Sequence, residues 1–306
     1  MPISIAKLRE GKILHEPLVT VAIPAFNRPF GLQRTLKLIT EQTYQNLEII
    51  VADDCSTGDE TQTIMKDFAS KDKRVICYRH EKNIGMFNNF KFLLNKASGE
   101  YFMWAADDDE WSPKFIAACM ERFTESIVSV MCGINIKIRG SGREYNNTFL
   151  NISPKQGIYE NAMIFLNDMQ SSLFYGIHRK KSIEWIMKEQ PFDWFDCYLV
   201  LRQIFQNGYE IIPEYLFTAG IDGETYIFKP YYPSPGRVFV YYPFYKACSD
   251  LILNETTLST EEKRRLLFRL TRNTLSNFNH CEQEMQKQIV RLPYDIQEQY
   301  LLDEKI

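Results

Sequence analysis

Two clusters of acidic side chains in the first half of the sequence have the residue types that bind cations. Asp107-Asp108-Asp109 is a run of three adjacent carboxylates, and Asp53-Asp54 is a pair. Adjacent carboxylates repel one another unless solvent or a cation neutralises them. Carboxylate oxygens suit Mg²⁺ and Mn²⁺, which commonly complete their coordination with substrate phosphates. The run predicts a metal–phosphate site, although the same pattern is typical of a solvated turn that caps a helix.

Two further groups of polar residues are candidates for binding or catalysis. Asn83-Ile84-Gly85 is a turn signal that carries an amide side chain. Asp193 and Asp196 precede a segment with helical periodicity, so either one can cap that helix or act as a general base. The four histidines have no spacing typical of metal ligands, and the seven cysteines form no CxxC pair. We therefore expect neither a zinc site nor a disulfide framework.

The segments between these residues alternate between strand and helix patterns. Apolar runs predict buried strands at residues 18–23, 47–52, 74–78, 101–105 and 128–138. Helical periodicity is found around Leu32–Ile39 and at about residues 59–70, 87–97 and 196–208. This alternation implies right-handed βαβ units, in which ligands bind beyond the carboxyl ends of parallel strands. Pro24-Ala25-Phe26-Asn27 and both acidic clusters follow predicted strands, so we expect them to meet at one edge of the sheet.

The second half of the sequence is less regular. Gly140-Ser141-Gly142 predicts a turn, and residues 226–240 form an aromatic, proline-rich connector. Ser259 and Glu262 have the spacing of a capping box, which predicts that a helix begins between them. We therefore interpret residues 240–306 as a helical appendage.

The composition limits the partners and the location of the protein. A net charge of −3 argues against nucleic-acid binding. No segment approaches the ~18 apolar residues of a membrane span, and the N-terminus lacks a signal-peptide pattern, so we expect a cytoplasmic protein. A basic cluster near the C-terminus is compatible with peripheral contact with the inner face of a membrane, although a solvated helix face is the more common reason for such a pattern. The cluster consists of Lys263, Arg264, Arg265, Arg269 and Arg272.

In order and spacing, these segments resemble the family 2 glycosyltransferases of the GT-A fold, the inverting type found in bacterial polysaccharide synthesis. Two segments of this chain carry the resemblance. The family's opening block is matched by VTVAIPAFNRPFGLQRTLKLITEQTYQNLEIIVADDCSTGDET, and its middle block by KNIGMFNNFKFLLNKASGEYFMWAADDDEWSPKFI. The resemblance implies an α/β, Rossmann-like, mostly parallel sheet flanked by helices, with a C-terminal helical extension. It divides the chain into an N-terminal arm (1–16), a GT-A domain (17–225, with a nucleotide-sugar half at 17–120 and an acceptor half at 121–225) and a connector with a helical C-terminal region (226–306).

The resemblance also implies roles for individual residues of the nucleotide-sugar half. The residues expected to contact the donor are Pro24, Ala25, Asn27, Asp53, Asp54, Asn83, Gly85 and Asp107. Asp108 and Asp109 are the metal candidates: the register against Pro113 selects Asp108, whereas a strict D-x-D pattern selects Asp107 together with Asp109. The sequence departs from the family pattern at Ala106, where an aspartate is common, and at Cys55, where glycine is usual.

The implied reaction is an inverting transfer from a UDP-, GDP- or dTDP-linked sugar to a hydroxyl of a glycan, polysaccharide or lipid-linked acceptor. Mn²⁺ or Mg²⁺ would neutralise the departing nucleoside diphosphate. Counting back from Gly208 favours Asp196 as the base, with Asp193 as the second candidate. A nucleotidyltransferase would show a glycine-rich phosphate loop with basic residues, where this sequence offers only Arg28. A non-catalytic protein that binds sugar nucleotides or glycans would need degraded acidic motifs, and here the motifs are intact.

Overall fold

A computed structural model of the chain describes residues 8–9, 12–13, 16–139, 143–146, 149–222 and 242–289. The strands are β1 (Leu8–Arg9), β2 (Lys12–Ile13), β3 (Val19–Ala25), β4 (Leu47–Asp53), β5 (Val75–Arg79), β6 (Tyr101–Trp104), β7 (Glu110–Trp111), β8 (Ser129–Arg139), β9 (Arg143–Asn146), β10 (Ile177–Arg179) and β11 (Tyr209–Asp222). The α-helices are α1 (Pro29–Thr40), α2 (Glu60–Lys71), α3 (Met86–Lys96), α4 (Phe115–Met120), α5 (Ile158–Asn167), α6 (Lys180–Ile183), α7 (Phe195–Phe205), α8 (Tyr242–Asn254) and α9 (Thr260–Ile289). Short 3₁₀ helices lie at Pro154–Gln156, Ser171–Tyr175 and Glu184–Lys188.

The chain divides into two compact units. The first unit consists of residues 1–122, 175–187 and 215–220, and the second of residues 123–174, 188–214 and 221–306. Strand β11 therefore contributes residues to both units. The predicted halves at 17–120 and 121–225 concern substrate binding, so they stay a prediction.

The first unit is built on a mostly parallel sheet, as predicted. Its strand order is β5-β4-β3-β6-β10, in which the first four strands are parallel and β10 is antiparallel to β6. Strands β3, β4 and β6 are almost entirely buried, which explains their continuous apolar sequences. Helix α1 buries Leu32, Leu36 and Ile39, the three residues that its periodicity assigned to one face. The predicted α/β class is confirmed.

The predicted end of the first strand is wrong by two residues. We expected Pro24 to stop the strand at Ile23, but β3 continues to Ala25. Alternate residues of β3, among them Ala22, direct their backbone groups towards β6, and pairing with β6 ends at Ala22 and Trp104. Pro24 belongs to the same alternate set, so its missing N–H faces a side on which no ladder bond remains to be made.

The second unit is mainly helical. Helices α5, α7, α8 and α9 pack against one another, and β8 forms an antiparallel hairpin with β9. The predicted capping box is confirmed: the Ser259 backbone N–H and hydroxyl donate to Glu262 Oε2 at 2.7 and 2.6 Å, and the Glu262 N–H donates to Ser259 Oγ at 3.3 Å. Helix α9 begins one residue after Ser259, as that pattern requires.

Some predicted features lie outside the described residues. These are the turn at Gly140-Ser141-Gly142, the connector at 226–240 and the last residues of the helical appendage, 290–306. In the part of the chain that the structure describes, no helix is both long enough and apolar enough to cross a bilayer.

Candidate functional site

The carboxyl ends of β3, β4 and β6 bring the predicted donor-site loops together at one edge of the first unit's sheet. In the parallel pairing of β3 with β4, Ala25 lies opposite Asp53. In the pairing of β3 with β6, Ala22 lies opposite Trp104, three residues before the acidic run. Hydrogen bonds and ion pairs then join the loops that follow these strands, so the expected convergence is confirmed.

The first of these connections joins Asn27 to the turn after β4. The Thr57 N–H and hydroxyl donate to Asn27 Oδ1 at 2.7 and 3.1 Å, and the Asn27 N–H donates to Ser56 Oγ at 2.8 Å. Asn27 and Cys55 have positive φ angles of 54° and 63°. The left-handed backbone at Cys55 is a conformation that glycine adopts more readily, since a Cβ atom is unfavourable there.

Asp53 and Asp54 are adjacent in sequence but have different environments. Asp53 is fully buried, and its Oδ1 accepts the Ser56 N–H at 3.0 Å and the Ser56 hydroxyl at 2.5 Å. Its Oδ2 pairs with Arg79 Nη1 at 2.5 Å. Asp53 is thus fully engaged within the protein and holds the turn after β4 in shape.

Asp54 connects the end of β4 to the start of α3. Its Oδ1 accepts the Ile84 N–H at 2.7 Å, and its Oδ2 accepts the Gly85 N–H at 3.0 Å. Asn83 reinforces this connection by donating from Nδ2 to the Asp54 carbonyl at 3.2 Å. Asp54 is only 3% exposed, so it can present no more than an edge to a ligand. Asn83 and Gly85, predicted from a weak turn signal, therefore belong to the same loop network as Asp54.

The acidic run packs against the first turn of α1. Arg28 Nη1 lies 2.9 Å from Asp107 Oδ1 and 3.5 Å from Asp108 Oδ2, so one guanidinium partly neutralises two carboxylates. Arg34 Nη2 donates to the Asp107 carbonyl at 3.1 Å. Gly31 lies so close that a Cβ atom built on it would be 2.3 Å from the same carbonyl oxygen. The backbone of the run is thus held directly against α1.

The three carboxylates of the run differ in how far they reach solvent. Asp109 is 4% exposed, and its Oδ1 accepts the Gly220 N–H at 2.9 Å, next to the pairing of β7 with β11. The side chain of Asp107 is 11% exposed and that of Asp108 is 29% exposed. Asp108 is therefore the most accessible of the three. Among the described residues, no group of three or more His, Cys, Asp or Glu side chains is arranged to hold a metal ion.

Both candidate bases belong to the second unit, at the start of α7. Asp193 is buried, and Asp196 lies in the first turn of the helix, where the Cys197 N–H donates to its Oδ1 at 2.7 Å. Burial raises the pKa of Asp196 to about 6, and the hydrogen bond from Cys197 opposes that rise. Trp194 between them has a left-handed backbone, with φ of 62°.

Asp196 borders a cavity of about 400 Å³ within the second unit. The other residues that line it include Asn167, Asp168, Ser171, Trp194, Asn273 and Ser276. Amide, hydroxyl and carboxylate groups beside an indole ring are the chemistry that a polar, ring-shaped ligand such as a sugar requires. Asn273 and Ser276 come from α9, in the part of the sequence where we recognised no family pattern.

Sequence reasoning did not single out four residues that hold the loops at this sheet edge together: Arg28, Gly31, Ser56 and Arg79. Arg28 appeared only as a lone basic residue, and Ser56 only as part of a motif. No local signal marks Gly31 or Arg79, because their importance depends on a carbonyl and a carboxylate that are distant in sequence.

Comparison with known proteins identifies the family and the fold of the chain. The family model described as Glycosyl transferase family 2 matches residues 20–207, more than half of the chain. An uncharacterized glycosyltransferase of Haemophilus influenzae is 31% identical over 219 residues, which are 67% of this chain and 60% of that protein. The GalNAc(5)-diNAcBac-PP-undecaprenol beta-1,3-glucosyltransferase of Campylobacter jejuni is 28% identical over 174 residues, 55% of this chain and 53% of that protein.

The chain thus spans 60% or less of the length of these curated relatives. Among solved structures, S. aureus TarS 1-349 in complex with UDP superposes with a TM-score of 0.64 at 16% identity, over 93% of this chain and 78% of that one. This likeness concerns the fold. The chain belongs to glycosyl transferase family 2 and has the GT-A fold of that family.

Proposed function

We propose that the protein is a metal-dependent glycosyltransferase that transfers a sugar, with inversion, from a nucleotide-diphosphate sugar to an acceptor hydroxyl. The observation that carries this proposal is the convergence of the Asn27, Asp54 and Asp107–Asp109 loops at one sheet edge. Ligands of open α/β sheets bind at that edge. Membership of the family supports the same reaction class.

We assign the nucleotide part of the donor to the loops after β3 and β4. Pro24, Ala25 and Asn27 form one wall, and Asp54 with the Asn83–Gly85 turn forms the other. Asp53 acts there by shaping the turn. Because these loops are already hydrogen-bonded to each other, little conformational entropy remains to be lost when the donor binds.

The acidic run supplies carboxylate oxygens, the ligand type that Mn²⁺ and Mg²⁺ prefer. These ions are typically held by one or two carboxylates together with substrate phosphates, and Asp107 and Asp108 already lie around one positive charge, Arg28. Asp108 would be the main ligand because it is the most exposed of the three. Asp109, already bonded to Gly220, would support the loop rather than the ion. A bound ion would neutralise the charge that develops on the departing nucleoside diphosphate.

We assign the role of general base to Asp196. A base acts most effectively when its pKa lies near the working pH, and a value of about 6 leaves Asp196 mostly ionised at neutral pH. The cavity beside it is our candidate for the acceptor sugar. Because the relative from Campylobacter jejuni acts on an undecaprenol-linked glycan by its name, lipid-linked glycans are acceptors to test first. The cytoplasmic location expected from the sequence stays a prediction.

The experiment that tests this function is a thermal-shift screen of UDP, GDP, dTDP and their sugar conjugates, with Mn²⁺, with Mg²⁺ and with EDTA. We expect one nucleotide series to raise the melting temperature, and to do so more strongly with metal. UDP is the first probe because the similar TarS structure contains it. If no nucleotide stabilises the protein in the presence of metal, the proposal is wrong.

Release of nucleoside diphosphate from the stabilising donor then separates the alternatives. A transferase releases it slowly to water and faster with a suitable acceptor, whereas a non-catalytic binding protein releases none. A nucleotidyltransferase would instead release pyrophosphate from a nucleoside triphosphate. Pyrophosphate release would therefore replace the present proposal with that alternative.

A further inference from the structure

The outward face of helix α9 exposes two large apolar side chains. Phe268 is 68% exposed and Leu275 is 51% exposed. They are seven residues apart, so they lie on one side of the helix two turns from each other. Leu266 and Leu270, on the opposite side, are fully buried and attach the helix to the second unit. Most of the surface of the exposed pair is therefore left outside the packing that holds α9 in place.

Arginines flank Phe268, and one of them, Arg272, also lies about one turn before Leu275. Arg264 and Arg272 lie one turn before and one turn after Phe268, and Arg265 and Arg269 complete the set. Glu261 pairs with both Arg264 and Arg265 at 2.8 Å. Among the described residues, Arg269 and Arg272 have no ion pair. Four arginines and one glutamate give this face a net charge of +3, opposite in sign to the −3 of the whole chain.

The face is concave where α9 passes α5. A cavity of about 350 Å³ lies there, within the second unit, with Tyr159 and Met163 of α5 on one side. Arg264, Arg265, Phe268 and Arg269 form the other side. Guanidinium groups at the rim of an apolar hollow suit a phosphate that is attached to an apolar group. We call the residues 264, 265, 268, 269, 272 and 275 the basic–apolar face.

We propose that the basic–apolar face binds an anionic lipid surface, with Phe268 and Leu275 inserted at headgroup depth and the arginines bound to lipid phosphates. An aromatic and an aliphatic side chain flanked by arginines are the composition of helices that lie in a membrane interface. A second copy of this face would be repelled by its own charge. This proposal goes beyond the transferase reaction and does not depend on it.

The test is co-sedimentation of the full chain with vesicles. Vesicles of equal parts phosphatidylglycerol and phosphatidylcholine are compared with vesicles of phosphatidylcholine alone. We expect binding to the anionic vesicles only, and weaker binding as salt rises, because screening weakens the attraction between the arginines and the surface. A soluble competitor, inorganic pyrophosphate, distinguishes a free-phosphate site from a membrane surface: it should displace little of the bound protein.

Matched variants locate the contact. The double variant R269Q/R272Q should reduce the partition coefficient about tenfold or more, because basic residues near an anionic surface each add to binding. Its control, K37Q/K66Q, removes the same charge from the exposed surface of the first unit. Leu275→Ser should reduce binding about fivefold or more through lost apolar insertion, whereas Leu253→Ser, a leucine of similar exposure on α8, should not.

Five of the six substituted positions are exposed and Arg269 is half-buried, so every variant should retain a melting temperature close to that of the parent chain. Absence of binding to anionic vesicles would overturn the proposal. Equal losses in the paired controls would also overturn it, because these would show that overall charge or non-specific adsorption, rather than this face, governs binding. Binding to soluble polyglutamate with none to vesicles would also overturn it, since the face would then be a site for an acidic protein.

Discussion

The loops at the sheet edge of the first unit and the cavity of the second unit differ in how far their carboxylates are tied to the protein. At the sheet edge, the carboxylates of Asp53, Asp54 and Asp109 accept hydrogen bonds from backbone amides. These hydrogen bonds stabilise the charged form of each carboxylate and hold the loops in place. In the cavity, Asp196 borders open space, and burial raises its pKa to about 6. The same residue type thus holds loops together in one unit and borders a cavity with a raised pKa in the other.

This difference suggests a division of labour. A site for a charged donor gains from rigid, preorganised loops, because each group ordered in advance costs nothing on binding. A general base must instead change its protonation state during the reaction, which a carboxylate held by several amides or an arginine resists. Substitutions in the two regions should therefore separate donor binding from transfer.

The largest expected effect comes from Asp196→Asn. Without a base, the transfer rate should fall on the order of a thousandfold, while the donor dissociation constant stays unchanged. Release of nucleoside diphosphate measures the first, and calorimetric titration of the donor measures the second. Asp193→Asn is the matched control. If Asp193→Asn abolishes transfer and Asp196→Asn does not, the base has been assigned to the wrong residue.

Asp108→Asn should affect donor binding at the sheet edge of the first unit. Removing the most exposed carboxylate should weaken metal-dependent donor binding by roughly a hundredfold, because an amide is a poor replacement for a charged ligand of a hard cation. Asp109→Asn should leave donor affinity nearly unchanged, since an amide oxygen can still accept the Gly220 N–H. Thermal shifts with donor and Mn²⁺ measure both. Equal losses would contradict a special role for Asp108.

Gly31→Ala tests whether the acidic run depends on its contact with α1. The new methyl group would meet the Asp107 carbonyl oxygen at 2.3 Å, so either the helix or the run must move. We expect a loss of about 1–3 kcal/mol in the free energy of unfolding, together with weaker donor binding. Gln33→Ala, at an exposed position of the same helix, should be close to neutral. Unchanged stability and affinity in Gly31→Ala would show that this contact is dispensable.

The pH dependence of transfer should report the environment of Asp196. Below a pKa of about 6 the carboxyl becomes protonated and cannot accept the acceptor's proton, so the rate should fall about tenfold per pH unit as pH decreases. Above that value the rate should level off. Donor binding should show no inflection near pH 6. An inflection in the transfer rate near about 4, the ordinary value for aspartate, would mean that burial does not perturb the active carboxyl.

Much of the first unit could be predicted because its signals are local. The buried strands, the apolar face of α1 and the Ser259–Glu262 capping box each depend on residues within a few positions of one another. The error at Pro24 has the opposite origin. A missing N–H matters only when a neighbouring strand would have used it, and the length of that neighbour, β6, is not visible in the sequence around Pro24.

The candidate site shows the same limit. The types and order of Asn27, Asp54 and Asp108 were readable because parallel strands always deliver their carboxyl ends to one edge. Their individual tasks were not readable. Asp53 and Asp54 are the same residue type at adjacent positions, so the local sequence does not distinguish them. In the structure Asp53 pairs with Arg79, whereas Asp54 accepts hydrogen bonds from the backbone amides of residues 84 and 85.

The sequence by itself determined the class of fold, the family and the set of acidic candidates, because strand and helix periods and motif spacing are properties of short segments. Only the tertiary structure decided which carboxylates are consumed in holding loops and which one borders a cavity. It also decided that α9, through Asn273 and Ser276, shares that cavity with Asp196. The physical reason is that burial, pKa and ion pairing depend on atoms brought together from distant parts of the chain.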